Sequence, residues 1–127
     1  MEDSIFTKII KGEIPSHKVY EDDKVLAFLD ITPTTPGHTL VIPKKQVELV
    51  WDLNDDEYHA VMAVAKRVAQ RLQEVLGVKF VGEKIIGTDV PHAHVHVFAL
   101  TTGDQQFDEM AADHDTLAAM AEKLRFS

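Results

Sequence analysis

Cysteine is absent from this chain of 127 residues. That excludes a disulfide framework and any zinc site built on thiolates. No apolar run approaches the roughly 20 residues needed to span a bilayer. The opening "MEDSIFTKIIKGEIP" is too polar and acidic for a secretory signal, so a cytoplasmic setting is expected. Basic charge is in deficit: 13 Lys and Arg face 21 Asp and Glu, a formal net charge of −8. A basic face is what non-specific nucleic-acid or anionic-membrane binding needs. Neither partner is therefore expected, although a nucleotide in a small local pocket stays compatible. Internal repeats, low-complexity tracts and linkers are also lacking, which gives one domain over 1–127.

What is present is an ordinary globular composition, 45% hydrophobic and 27% charged. A domain of this size buries roughly two-thirds of its unfolded surface. "SIFTKIIKG" supplies Ser4 as a helix cap, apolar Ile5, Phe6, Ile9 and Ile10, and Gly12 as a stop. "HKVYEDDKVLAFLDI" reads as a hairpin turning at residues 21–24. "TPTTPG" excludes regular structure, and "HTLVIP" follows as a short buried strand ending at Pro43.

A long helix is expected over residues 54–77. Asn54 and Glu57 have capping-box spacing, and Gly77 offers the left-handed stop. Its apolar stripe, including Val61, Ala65, Val68 and Leu72, is spaced to cover a sheet. Val64 widens the stripe enough to suggest partner contact as well. "VKFVGEKIIG" and "AHVHVFAL" read as two further strands. "DHDTLAAMAEKLR" reads as a terminal helix over about 113–125, capped by Asp113 or Asp115. The expected fold is therefore α+β: about five strands in a mostly antiparallel sheet, one long helix, and shorter helices at each end.

The chemistry concentrates in "VPHAHVHVFAL", residues 90–100, with histidines at 92, 94 and 96. On a strand these share one face, roughly 6–7 Å apart, while Ala93, Val95 and Val97 point into a core. Three readings compete. The residues could be polar groups on a solvated face. They could bind a metal, since His-x-His offers two imidazoles to zinc and acids lie nearby at Asp89 and Asp104. They could also supply a nucleophile whose neighbours orient it and contact phosphate oxygens.

"HAHVHVFA" resembles the His-x-His-x-His signature of the histidine triad (HIT) superfamily. "SIFTKIIKGEIPSHKVYEDDKVLAFLDITPTTPGHTLVIPKK" resembles the opening of its Hint-like branch, and the likeness runs from about residue 4 to 100. The resemblance implies a hydrolase of purine nucleoside phosphoramidates or related nucleotidyl phosphoanhydrides. His94 would attack the α-phosphorus and form a nucleotidyl-histidine that water hydrolyses. His96 would contact phosphate and assist the leaving group, His92 would orient the set, and His38 would join the same network. Asp30 would hold the ribose hydroxyls, a sound role for a carboxylate facing two vicinal donors. Phe6, Ile9, Ile14, Phe28, Leu29 and Ile31 match positions of the base slot, and at least two of the six are expected to be plain core. No cofactor or metal is implied, and a homodimer joined through the long helix and a sheet edge is.

The chain departs from the family pattern just before the triad. Hint-like proteins carry a longer loop there with a Gly-Gln-Ser-like stretch, whereas this chain has "IIGTDVPHAH". Thr88 and Asp89 stand where neutral polar residues are expected. A carboxylate beside phosphate is repulsive, so Asp89 is expected to point away or to pair with a histidine. The backbone amides of Asp89 and Val90 would still donate to phosphate. A nucleotide sensor with weak catalysis, a dinucleoside polyphosphate hydrolase and a metalloenzyme are the alternatives.

Overall fold

The computed structural model describes residues 2–100 and 112–127. Its elements are α1 (Ile5–Ile10), β1 (Lys18–Glu21), β2 (Val25–Leu29), β3 (Thr39–Pro43), a 3-10 turn (Val50–Asp52), α2 (Asp55–Leu76), β4 (Phe80–Lys84), β5 (Val95–Leu100) and α3 (His114–Leu124). The five strands form one antiparallel sheet in the order β1-β2-β3-β5-β4. This is the expected α+β architecture.

Each helix starts where its cap residue dictates. The Ser4 hydroxyl accepts from the Thr7 amide, and Asn54 and Glu57 close a reciprocal capping box. Asp113 caps α3 through the Thr116 amide. These side chains satisfy amide hydrogens that a helix start leaves without partners. Gly77 ends α2 at φ 68°.

The sheet separates two cores by strand alternation. Val25, Ala27, Leu29, Val41, Val95 and Val97 face α2, where Val61, Ala65, Val68 and Leu72 cover them. Val64 is buried in the same cluster. Its place in the stripe is thus filled by the chain's own core. Leu26, Phe28, Leu40 and Ile42 point to the opposite face and pack against Phe6 and Ile9 of α1. Both faces of β2 and β3 are covered, which is why every residue in them is buried. Burying a Val or Leu side chain fully contributes about 1.5–3 kcal/mol, so this two-sided burial fixes the strands that carry the site.

The C-terminal helix is tied across the α2 face. Arg71 donates to the carbonyls of Lys123 and Leu124 at 3.1 Å each, neutralising the end of α3. Phe126 stacks on Tyr20 at 4.9 Å, with the Arg67 guanidinium 4.8 Å from each ring centre.

One expectation needs correction. β5 begins at Val95, so His92 and His94 precede the strand and only His96 lies within it. The β3–β5 ladder ends at the Val41–Val95 pair, although β3 runs on to Pro43. Instead the Ala93 amide donates to the Val47 carbonyl at 2.6 Å, and the His92 amide to Val90 at 2.8 Å. No helix of the described residues is long and apolar enough to cross a membrane.

Candidate active site

A cavity of about 310 Å³ opens on the α1 side of the sheet. Ile5, Phe6 and Ile9 of α1 form one wall, Ile14 and Pro15 follow, and Phe28 and Leu40 belong to the strands beneath. Asp30, Thr32, Asp89, His94 and His96 supply its polar lining. Every residue expected in the base slot borders this space, but not equally. Phe6, Ile9 and Phe28 are both wall and core. Leu29 borders the cavity while its side chain belongs to the α2-side cluster, because strand alternation turns it away from its neighbour Phe28. Leu29 is thus one of the six that serve as core, as expected of at least two of them. Ile31 is 66% exposed and sits at the rim. Asp89 and Val90 border the cavity too, Asp89 exposed and Val90 packed against the α1-side core.

Sequence reasoning missed Ile5, Pro15, Ser16, Thr32 and Leu40 as lining residues. Leu40 was legible in principle, since it is in phase with Ile42 on β3. His38 and His92 do not line the cavity; they are buried behind it, 2% and 0% exposed. Asp104 lies outside the described residues.

None of the triad imidazoles is solvated: His94 is 3% exposed and His96 8%. The reading of a solvated polar face is thereby overturned. Buried imidazoles need partners, and here those partners assign the hydrogens. His94 Nδ1 lies 2.7 Å from the His92 carbonyl oxygen, which can only accept, so Nδ1 carries the hydrogen. The Nε2 lone pair of His94 is left for the cavity. On His38, the Thr34 amide donates to Nδ1 at 3.1 Å, so Nε2 carries the hydrogen and donates to His96 Nδ1 at 2.9 Å. His96 in turn keeps its hydrogen on Nε2. The His94 and His96 rings sit 5.2 Å apart, nearly perpendicular, and Phe6 braces His94 edge-on at 5.2 Å. The site therefore presents a nitrogen lone pair beside an N–H donor.

Burial favours the neutral form of His38, His92 and His96. Burial lowers the His96 pKa to about 4, helped by His38, His94 and Lys84 and opposed by Asp30. Burial likewise holds His38 below the ordinary imidazole value, against the pull of Asp30, and it does the same to His92. Asp30 has one oxygen bound by the Thr32 amide and hydroxyl at 2.9 and 3.1 Å. Its other oxygen lies 3.7 Å from His38 Nε2.

Asp30, His38 and His96 bring three possible ligand atoms within 4.8 Å of one another. A cation there would need lone pairs on both His38 Nε2 and His96 Nδ1. The Thr34 amide instead places a hydrogen on His38 Nε2, between the two nitrogens. The donor set suits a hydrogen-bond relay better than a cation.

Clustered buried imidazoles beside an apolar slot set hydrogen-bonding ring nitrogens against a surface suited to a flat, weakly polar group. The sequence matches the HIT domain over residues 11–103, and the chain belongs to the HIT family. It is 47% identical over 103 residues to "Protein hit" of Bacillus subtilis, covering 76% of this chain and 70% of that protein. It is 36% identical over 130 residues to adenosine 5'-monophosphoramidase HNT1 of Saccharomyces cerevisiae, covering 93% and 82%. Among solved structures, a Hit-like protein from Bartonella henselae superposes with a TM-score of 0.91 at 32% identity, covering 97% of this chain and 94% of that one.

Proposed function

We propose that this protein is a nucleotide-binding hydrolase that cleaves purine nucleoside phosphoramidates, or related nucleotidyl phosphoanhydrides, at the α-phosphorus. The observation that carries the proposal is the pair of ring nitrogens facing one cavity. His94 Nε2 offers a lone pair, and His96 Nε2 offers a hydrogen. The base lies between Phe6, Ile9, Ile14 and Phe28, and Asp30 accepts from the ribose hydroxyls. His94 Nε2 forms a bond to phosphorus as the bond to the leaving nitrogen or oxygen breaks. The ring becomes cationic, and its Nδ1–H on the His92 carbonyl stabilises that charge. His96 donates a hydrogen bond to the bridging atom, which leaves after taking a proton from solvent water. Water then attacks the nucleotidyl-histidine and returns a proton to solvent, releasing the nucleoside monophosphate and neutral His94.

The relationship to adenosine 5'-monophosphoramidase HNT1 supports this reading. The reading covers adenine and guanine alike, the side chains placed around the base being apolar. We extend the proposal to a metal-independent reaction, because a hydrogen occupies the space between His38 and His96. A homodimer is also proposed, joined through α2 and the edge strand β4, where Phe80 is 48% exposed.

The test is turnover of adenosine 5'-monophosphoramidate. His94→Ala is expected to lose at least roughly a thousandfold, the scale of nucleophile deletions. The wild type should yield an adenylyl-histidine at position 94 by mass spectrometry under non-acidic conditions. Asp89 at the cavity border favours a second reading, a nucleotide sensor with weak catalysis. Tight AMP binding without any adenylyl-histidine would select that one.

A further inference from the structure

A buried polar chain joins α1 to the triad from behind. The Ser4 amide donates to Gln46 Oε1 at 2.7 Å, and the Thr7 hydroxyl donates to the same oxygen at 2.6 Å. The Ser4 oxygen accepts from the Thr7 amide at 3.0 Å and lies 2.8 Å from His92 Nδ1. On the far side of that ring, His92 Nε2 is 2.8 Å from the Pro43 carbonyl oxygen. A carbonyl only accepts, so Nε2 carries the hydrogen and Nδ1 is an acceptor. The Thr7 oxygen also lies 3.2 Å from that nitrogen, but its hydrogen goes to Gln46 at the shorter 2.6 Å, so the hydrogen left for His92 is that of Ser4. Ser4 is 6% exposed and His92 fully buried.

This clamp bears on the reaction because of where β5 begins. The His92 carbonyl holds His94 Nδ1–H at 2.7 Å, yet residue 92 lies ahead of the strand and outside its ladder. Its amide donates to the Val90 carbonyl, and the Ala93 amide, in the same peptide plane as the His92 carbonyl, donates to Val47. Its ring is held by Ser4 and Pro43. A ring fixed at both nitrogens cannot turn, and the residue's carbonyl is fixed with it.

We propose that Ser4 is a positioning residue for the triad: its hydroxyl clamps the His92 ring and thereby holds the carbonyl that orients His94. This rests on the hydrolase reading above. Ser4 also caps α1, which builds the cavity wall with Ile5, Phe6 and Ile9. One side chain thus sets both the slot and the support of the nucleophile.

Three variants separate clamp from cap. Ser4→Ala loses both functions, Ser4→Asp keeps an N-cap acceptor but no donor, and Ser4→Thr keeps both. With adenosine 5'-monophosphoramidate, Ser4→Ala and Ser4→Asp should each lose about tenfold in kcat, the scale of one buried hydrogen bond. KM should stay within about twofold, and Ser4→Thr should recover most of kcat. The ¹⁵N resonance of His92 Nδ1 should move toward a free acceptor in Ser4→Ala and toward a protonated nitrogen in Ser4→Asp. The proposal is overturned if Ser4→Asp recovers kcat as fully as Ser4→Thr, since the cap alone then suffices. It is equally overturned if Ser4→Ala keeps kcat within twofold or leaves the His92 resonance unmoved. Should the wild type turn over no phosphoramidate at all, the hydrolase reading fails, while the ¹⁵N shift still decides whether Ser4 holds His92.

Discussion

His38 Nε2 and His96 Nδ1 lie 2.9 Å apart and share one hydrogen, which the Thr34 amide assigns to His38. The two residues stand on neighbouring strand positions, His38 just before β3 and His96 within β5, with Leu40 paired directly to His96. Neither ring can take a second proton at the shared position without two N–H groups facing each other. Burial and this pairing together keep His96 neutral down to about pH 4.

Stability should therefore depend on pH in a stated direction. The folded pKa of His96 is lowered from 6.5 to about 4, so the unfolded chain binds the proton first. The contribution is fully present above pH 6.5 and is lost as pH falls from there toward about 4. His38 and His92, lowered in the same direction, add to the loss. Urea unfolding at pH 7 and pH 4.5 should differ by about 2–3 kcal/mol on this account. The difference should shrink in His96→Asn; an equal pH dependence in that variant would count against the assignment.

Ribose recognition gives a second expectation. Thr32 occupies one oxygen of Asp30, which leaves the other for the sugar hydroxyls. Asp30→Asn should weaken AMP binding about tenfold, the scale of a charge-assisted hydrogen bond. Binding of 2',3'-dideoxy-AMP should change little. Calorimetry with both ligands separates a ribose contact from a general loss of the pocket.

Gly37 supports the site from the other side of the sheet. Its φ is +89°, and an added Cβ would meet Leu72 Cδ2 at 2.9 Å and Leu124 Cδ1 at 3.4 Å. The left-handed backbone and the closeness of α2 and α3 both demand glycine. Gly37→Ala should cost about 1–3 kcal/mol in stability, measured by chemical unfolding. Because His38 is the next residue, kcat should fall with it.

Much of this molecule was legible in the chain itself. The caps at Ser4, Asn54 and Asp113, the hairpin before Asp30 and the five strands follow from local spacing, since turns and helix ends are set by nearby residues. The alternation of His94 and His96 with Ala93, Val95 and Val97 predicted opposite faces, and the two cores confirm it. The start of β5 was not legible, because the Ala93 amide turns to the distant Val47 carbonyl rather than to β3.

Which hydrogen sits on which imidazole was decided by tertiary structure alone. His38 reaches His96 across 58 residues, and Ser4 reaches His92 across 88. No local pattern encodes such pairs. The sequence determined that three imidazoles and an apolar slot exist, since composition and period are local properties. The fold decided that they are buried, neutral and oriented, because burial and hydrogen-bond partners arise only when distant segments meet.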